Sequence, residues 1–161
     1  MINYKLLYNR IFTSDKFIFS KDILFVSNNN SNNEIKLYDK ILFDDIIDKT
    51  YHTIIIIDLF SLYGEEDIKN KIDYFKTFTK KNGKLIFIEQ LLTNDNYQPL
   101  TMIRYIFYPV IPFIGKNTKM TYMYDIIKEM QLHIVDSDRI YSDDIMYSSI
   151  EYFSVICEKK L

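Results

Sequence analysis

The chain has 161 residues, 48% of them hydrophobic and 26% charged, which supplies one globular core and is short for two. Its formal net charge of -2 gives no overall attraction to nucleic acid or to an anionic membrane. A single cysteine, Cys157, excludes an internal disulfide, and the N-terminal MINYKLLYNR lacks the cationic flank, apolar run and cleavage site of a secretory leader, so an intracellular, cytoplasmic setting is expected. Alanine is absent and glycine numbers only 3, whereas Ile, Asn, Lys and Tyr abound, a bias that reads as AT-rich coding of the kind found in a virus, parasite or symbiont. Asparagine then takes places where other proteins use glycine, because both tolerate a left-handed backbone.

Residues 2–19 mix large apolar side chains with lysine and read as a short helix followed by an extended segment. Ile23–Val26 is a compact apolar run that ends abruptly in the polar SNNNSNN of residues 27–33, the pattern of a buried strand and its loop. Residues 34–43 offer one or two short strands. TIIIID at residues 53–58 is apolar on both faces and predicts a central, parallel strand. Over residues 65–80 the side chains Ile68, Ile72, Phe75 and Phe78 recur at helical spacing, with acids at the start and lysines at the end as the helix dipole favours. Asn82-Gly83 is the expected stop, and KLIFIE at residues 84–89 is a second buried strand, completing a parallel crossover unit. All three prolines fall in residues 99–116; residues 119–130 then read as another helix. Residues 131–136 and 151–158 read as strands joined by a polar, aspartate-rich loop that contains Asp143 and Asp144. No Gly- or Pro-rich linker divides the chain, so residues 1–161 are expected to form one domain.

YHTIIIIDLFSL, a helix and then FTKKNGKLIFIEQ resemble the fourth and fifth strands of class I S-adenosylmethionine-dependent methyltransferases, where the second of these strands follows a "lkpGG" turn. The helix that ends in MQLHIVDSDRI and the final YFSVICEKK are similar to that family's last helix and closing antiparallel hairpin, so the resemblance covers residues 51–158. The aromatic insertion IRYIFYPVIPFIGK looks more like the quinone and small-molecule methyltransferases than the RNA enzymes. The resemblance implies an α/β, three-layer Rossmann-like fold with a mostly parallel sheet, a C-terminal antiparallel hairpin and a shortened N-terminal half.

The family grips its cofactor with that first half, through a glycine-rich turn after strand one and an acidic residue ending strand two that binds the ribose hydroxyls. Here Ser27, Asn29 and Ser31 occupy the spaced glycine positions, and Phe25 stands where an acid is frequent. The few residues before the next strand leave little room for the usual helix and second strand. Asp44 or Asp45 matches the acid after strand three that contacts adenine, and Asp58 with Phe60 lies at the end of strand four, where the family's substrates gather. Each has a plainer reading: a solvated Asn-rich turn at 27–33, a helix cap for Asp44 and Asp45, a turn cap for Asp58. The resemblance thus implies vestigial cofactor contacts at Ser27, Asn29, Ser31, Asp44, Asp58 and Phe60, with S-adenosylmethionine binding weakened or lost. The corresponding function is a non-catalytic scaffold or activating subunit of a protein partner, or a homo-oligomer; the alternative is an active methyltransferase on a small, lipophilic acceptor.

TIIIID also ends like the phosphoacceptor strand of a response regulator, but FVSNNN and FIEQLL stand where that site needs an acidic pair and a lysine. His52 and His133 are the only histidines, and with one cysteine they provide no zinc or iron ligand spacing, so no metal is expected. The insertion is too short an apolar stretch to span a bilayer and reads as a lid, a partner surface or core.

Overall fold

The computed structural model describes residues 9–11, 22–28, 38–91, 120–145 and 148–159. Short runs of β-branched and aromatic residues form six strands: β1 (Ile23–Val26), β2 (Asp39–Ile41), β3 (Tyr51–Ile57), β4 (Thr79–Leu91), β5 (Leu132–Ile145) and β6 (Ser148–Lys159). Helices α1 (Leu59–Leu62) and α2 (Glu65–Phe78) connect β3 to β4, and α3 (Met120–Glu129) precedes β5. The strands make one sheet in the order β2-β1-β3-β4-β6-β5. β1 pairs in parallel with β2 and β3, and β3 with β4, while β6 runs antiparallel to both β4 and β5. This is the mostly parallel α/β sheet with a closing antiparallel hairpin that the family resemblance implies.

Period-two alternation sorts the apolar side chains onto two faces. Leu24, Val26, Ile54, Ile56, Leu85, Phe87, Val155 and Cys157 share one cluster with Ile68, Ile72 and Phe75 of α2 and Met123, Ile126 and Ile127 of α3. The alternate residues Ile23, Phe25, Ile55, Ile57, Ile86, Ile88 and Ile156 form the opposite cluster with Ile11 and Tyr152. β1 and the TIIII run of β3 are buried on both faces, as a central parallel strand requires, and each such side chain contributes about 1.5–3 kcal/mol on leaving water. Lys69 of α2 ties the two helices together, donating to Glu65 and to Glu129, each at 2.8 Å.

Two sequence expectations need correction. The helix ends at Phe78 rather than at Asn82-Gly83: Thr79 is already extended (φ -88°, ψ 127°) while its hydroxyl donates to the Phe75 carbonyl at 2.8 Å. Asn82 and Gly83 lie inside β4, where Asn82 takes φ 61° and the register passes from Tyr51↔Thr79 to Thr53↔Lys84, so β4 carries three more residues than β3 across that step. Nor do the described residues between 137 and 150 form a polar loop, for β5 runs to Ile145 and β6 begins at Ser148, the two pairing as Ile145↔Ser148, with register shifts at Ile134/Asp136 and Arg139/Tyr141. Of residues 34–43, only Asp39–Ile41 is strand among the described residues. The helix and extended segment expected over residues 2–19 are described only at the helical residues 9–11, and the proline-bearing insertion lies outside the described residues.

Gly83 earns its place by close approach. A Cβ there would meet the backbone carbonyl oxygens of His52 at 2.6 Å and Lys80 at 2.8 Å, neither of which moves without disturbing the β3–β4 ladder. Gly83→Ala is expected to destabilise the fold by about 1–3 kcal/mol, read as a lowered midpoint in chemical denaturation, whereas Gly64→Ala, with nothing within 4 Å of its added carbon, should be close to neutral.

Candidate functional site

The sheet grows from β1 toward β2 on one side and toward β3 on the other, so its topological switch point lies at the C-terminal ends of β1 and β3. In open α/β sheets this is the crevice where ligands bind. Ser27 and Asp58 follow β1 and β3 at that edge, and Glu89 lies in β4 one residue beyond its last parallel pair, Ile57↔Ile88. Ser27 is buried, and its backbone N–H donates to the Ile41 carbonyl at 3.3 Å.

Asp58 turns the chain out of β3. Its backbone is left-handed (φ 61°, ψ 31°), a conformation that aspartate tolerates better than most side chains, and its N–H donates to Ile88 at 3.0 Å. This sharp turn sets the four-residue α1 directly on the end of the sheet. Asp58 occupies the N-cap position of α1, yet its side chain makes no capping hydrogen bond. The cap comes from the neighbouring strand instead: Glu89 Oε1 accepts the Phe60 N–H at 2.9 Å, and the Leu59 and Ser61 N–H groups also act on this carboxylate.

Glu89 is the residue that the sequence reading overlooked. The signal was present in KLIFIE, because Leu85, Phe87 and Glu89 share one strand face, which places a carboxylate in line with two core residues. Its side chain is 1% exposed, and Oε2 has no hydrogen-bond partner. Burial pushes its carboxyl well above the usual carboxylate range, and the Asp58 charge pushes in the same direction, while the three backbone N–H groups of α1 oppose both.

The other predicted site residues are dispersed. Phe60 touches this cluster through its backbone, while its ring lies in the core, edge-on to Phe87 at 5.7 Å between centroids. Asp44 is exposed and pairs with Lys71 of α2 at 3.0 Å; the Lys71 ammonium also stands 4.6 Å from the centre of the Tyr63 ring. Asp45 closes its own turn, accepting the Leu42 N–H at 2.7 Å, with no helix there to cap. Asn29 and Ser31 lie outside the described residues. β2, the neighbour of β1, ends at Ile41 and is followed by Leu42, so neither its last residue nor the next one is a carboxylate. The described strand ends thus place a polar, buried cluster at β3 and β4 and an apolar end at β2. Cys157 is an inert thiol, its pKa raised by burial. Among the described residues no cluster of three or more His, Cys, Asp or Glu suits a metal, and no helix is long and apolar enough to cross a membrane.

No protein-family model and no curated protein matches the chain. Solved structures do. The apo S-adenosylmethionine-dependent methyltransferase SibL superimposes with a TM-score of 0.67 at 10% identity, over 98% of this chain and 56% of that one. A SAM-dependent methyltransferase from Methanosarcina mazei gives 0.61 at 12% identity, and the N-methyltransferase NodS from Bradyrhizobium japonicum gives 0.60 at 10%, each over 100% of both chains. Against TnmH and the magnesium protoporphyrin IX methyltransferase from Synechocystis, the chain spans only 33% and 52% of their lengths. These likenesses establish a class I methyltransferase-like fold.

Glu89→Gln keeps an oxygen for the Phe60 N–H and removes the charge. A carboxyl whose folded pKa is raised stabilises the fold below its unfolded value, and that stability is lost as pH climbs through the folded value. Melting curves should therefore show the variant gaining on the wild type as pH rises from about 4.5 upward, with the gain levelling off once Glu89 is fully ionised. A difference that does not change with pH would refute the buried, proton-binding state.

Proposed function

We propose that this chain is an S-adenosylmethionine-dependent methyltransferase domain that carries out its chemistry at the C-terminal ends of β1, β3 and β4. The observation that carries this reading is a carboxylate oxygen, Glu89 Oε2, buried without a partner beside Asp58 at the ligand edge of a methyltransferase-like sheet. A buried polar atom left unbonded costs about 1–3 kcal/mol, and a purely structural edge has no use for it. When bound, the cofactor supplies an electrophilic methyl group on a sulfonium. Protein residues then contribute alignment and exclusion of water. Ser27 borders the crevice from β1, Asp58 and Glu89 from β3 and β4, and the core rings of Phe60 and Phe87 back the floor.

A small acceptor fits the company this fold keeps. The matched structures include methyltransferases named for magnesium protoporphyrin IX, mitomycin and N-acetylserotonin. An intracellular site of action, a single domain and a lipophilic acceptor belong to the same proposal.

One observation favours a second reading, a non-catalytic module that serves a protein partner or a second copy of itself. The strand beside β1 ends at Ile41 with Leu42 after it, and the nearest following acid, Asp44, is engaged by Lys71. The ribose hydroxyls then lack an evident acceptor among the described residues. Calorimetric titration of the purified chain separates the two. Saturable binding of S-adenosylmethionine or S-adenosylhomocysteine at micromolar concentration is the expected result; heat no larger than dilution up to millimolar ligand would sink the enzyme reading and leave the module. Asp44→Ala serves as a companion measurement. Losing one exposed ion pair costs about 0–1 kcal/mol, so an affinity loss without a change in melting temperature would assign Asp44 to the adenine, whereas unchanged affinity would leave it a surface partner of Lys71.

A further inference from the structure

Glu89 is unusual in its electrical surroundings as well as in its burial. From β3 it faces Asp58, a second acid, and from α1 only the backbone N–H groups of Leu59, Phe60 and Ser61. From β6 its register partner is Phe153, and the helices turn Ile72, Phe75, Met123 and Ile127 toward this side of the sheet. Among the described residues no Lys, Arg or His acts on it. The α1 dipoles are spent on Oε1, which leaves Oε2 unbonded. A neutral donor would satisfy that oxygen but leave the repulsion between two neighbouring acids. A cation answers both needs at once.

We propose that Glu89, with Asp58 beside it, makes this site charge-selective, favouring the positively charged sulfonium form of the cofactor over the neutral thioether left after methyl transfer. The inference rests on the methyltransferase reading above and adds a direction to it. The acid pair attracts the ligand that still carries its methyl group and loses its hold once the positive charge has gone. It also makes the preference depend on pH. Below its raised pKa Glu89 is neutral and the two ligands are distinguished weakly; above it the carboxylate is charged and the cation is preferred. By linkage, binding the cation releases a proton from Glu89, and binding the thioether does not.

The test compares affinities of the full chain for S-adenosylmethionine and S-adenosylhomocysteine, measured calorimetrically between about pH 5 and about pH 9 in buffers of different ionisation enthalpy. The adenosine and amino-acid parts common to both ligands cancel to first order in the ratio. That ratio is expected to rise toward the sulfonium by a factor on the order of ten as Glu89 ionises, since an added unit charge a few ångström away is worth at least that much. Proton release should accompany the sulfonium alone. In Glu89→Gln the rise should vanish. In Asp58→Asn, which keeps a residue tolerant of the left-handed turn, it should move to lower pH, because the neighbouring acid no longer holds the Glu89 proton on. A wild-type ratio that is flat with pH while both ligands bind would overturn the inference and leave the methyltransferase reading standing, and so would an undiminished rise in Glu89→Gln. If neither ligand binds, the methyltransferase reading falls and takes this inference with it. Should Glu89→Gln fail to fold, the wild-type series and Asp58→Asn decide the matter.

Discussion

The carboxylate of Glu89 lies beneath the first turn of α1, and the whole C-terminal edge of the sheet is arranged around that contact. α1 has only four residues, too few to hold itself together in water, and it carries no acid in its first turn. What fixes it is a side chain from the next strand, which accepts the Phe60 N–H, together with the left-handed Asp58 that aims the chain there. The same contact therefore sets where β3 ends and where α2 begins. It also ties β3 to β4 at the point where their parallel ladder runs out, beyond the Ile57↔Ile88 pair.

Such an arrangement is held by the packing beneath it. A lone buried carboxylate costs several kcal/mol unless dipoles or charges answer it, and three backbone N–H groups answer only one of its oxygens. The balance comes from a sheet whose central strands are apolar on both faces, with Ile54 and Ile56 against α2 and α3 and Ile55 and Ile57 against the opposite cluster. Strain at the edge is tolerated because the middle is so strongly determined.

The middle was also the part most legible in the sequence. TIIIID and KLIFIE admit little besides buried parallel strands, and the Ile68, Ile72, Phe75 spacing admits little besides a helix laid across them. Boundaries were less legible, for a physical reason. Asn82-Gly83 has the composition of a helix stop, yet Gly83 is needed where the chain passes close to the His52 and Lys80 carbonyls, a tertiary demand that no local pattern reveals. Residues 137–150 are polar enough for a loop, but a strand at the sheet's edge has one side open to water, so polarity alone does not distinguish the two. The site was half legible. Asp58 stood out as an acid ending an apolar strand, whereas Glu89 ended one equally and was passed over because nothing in the sequence shows that its cap partners are main-chain N–H groups 29 residues away.

The two ends of the parallel strands treat Asp22 and Asp39 on one side and Glu89 on the other differently. At the N-terminal end Asp22 accepts from the His52 N–H and from Lys80, and Asp39 accepts from Lys49 at 2.6 Å and from the Tyr51 hydroxyl at 2.8 Å. These partners hold both carboxyls below their usual range, the Lys80 ammonium foremost for Asp22 and the Lys49 ammonium for Asp39, and burial, with Asp39 beside it, lifts Tyr51 to about 12. The two carboxyls are thereby held ionised and the Tyr51 phenol protonated, which is how a structural end behaves. At the C-terminal end the sign is reversed: Glu89 is held above its usual range by burial and by a like charge, with an oxygen left over. A fold that pairs its acids with cations at one end of the same strands has the means to do so at the other. That it leaves Glu89 without one is intelligible if the missing positive charge arrives with the ligand.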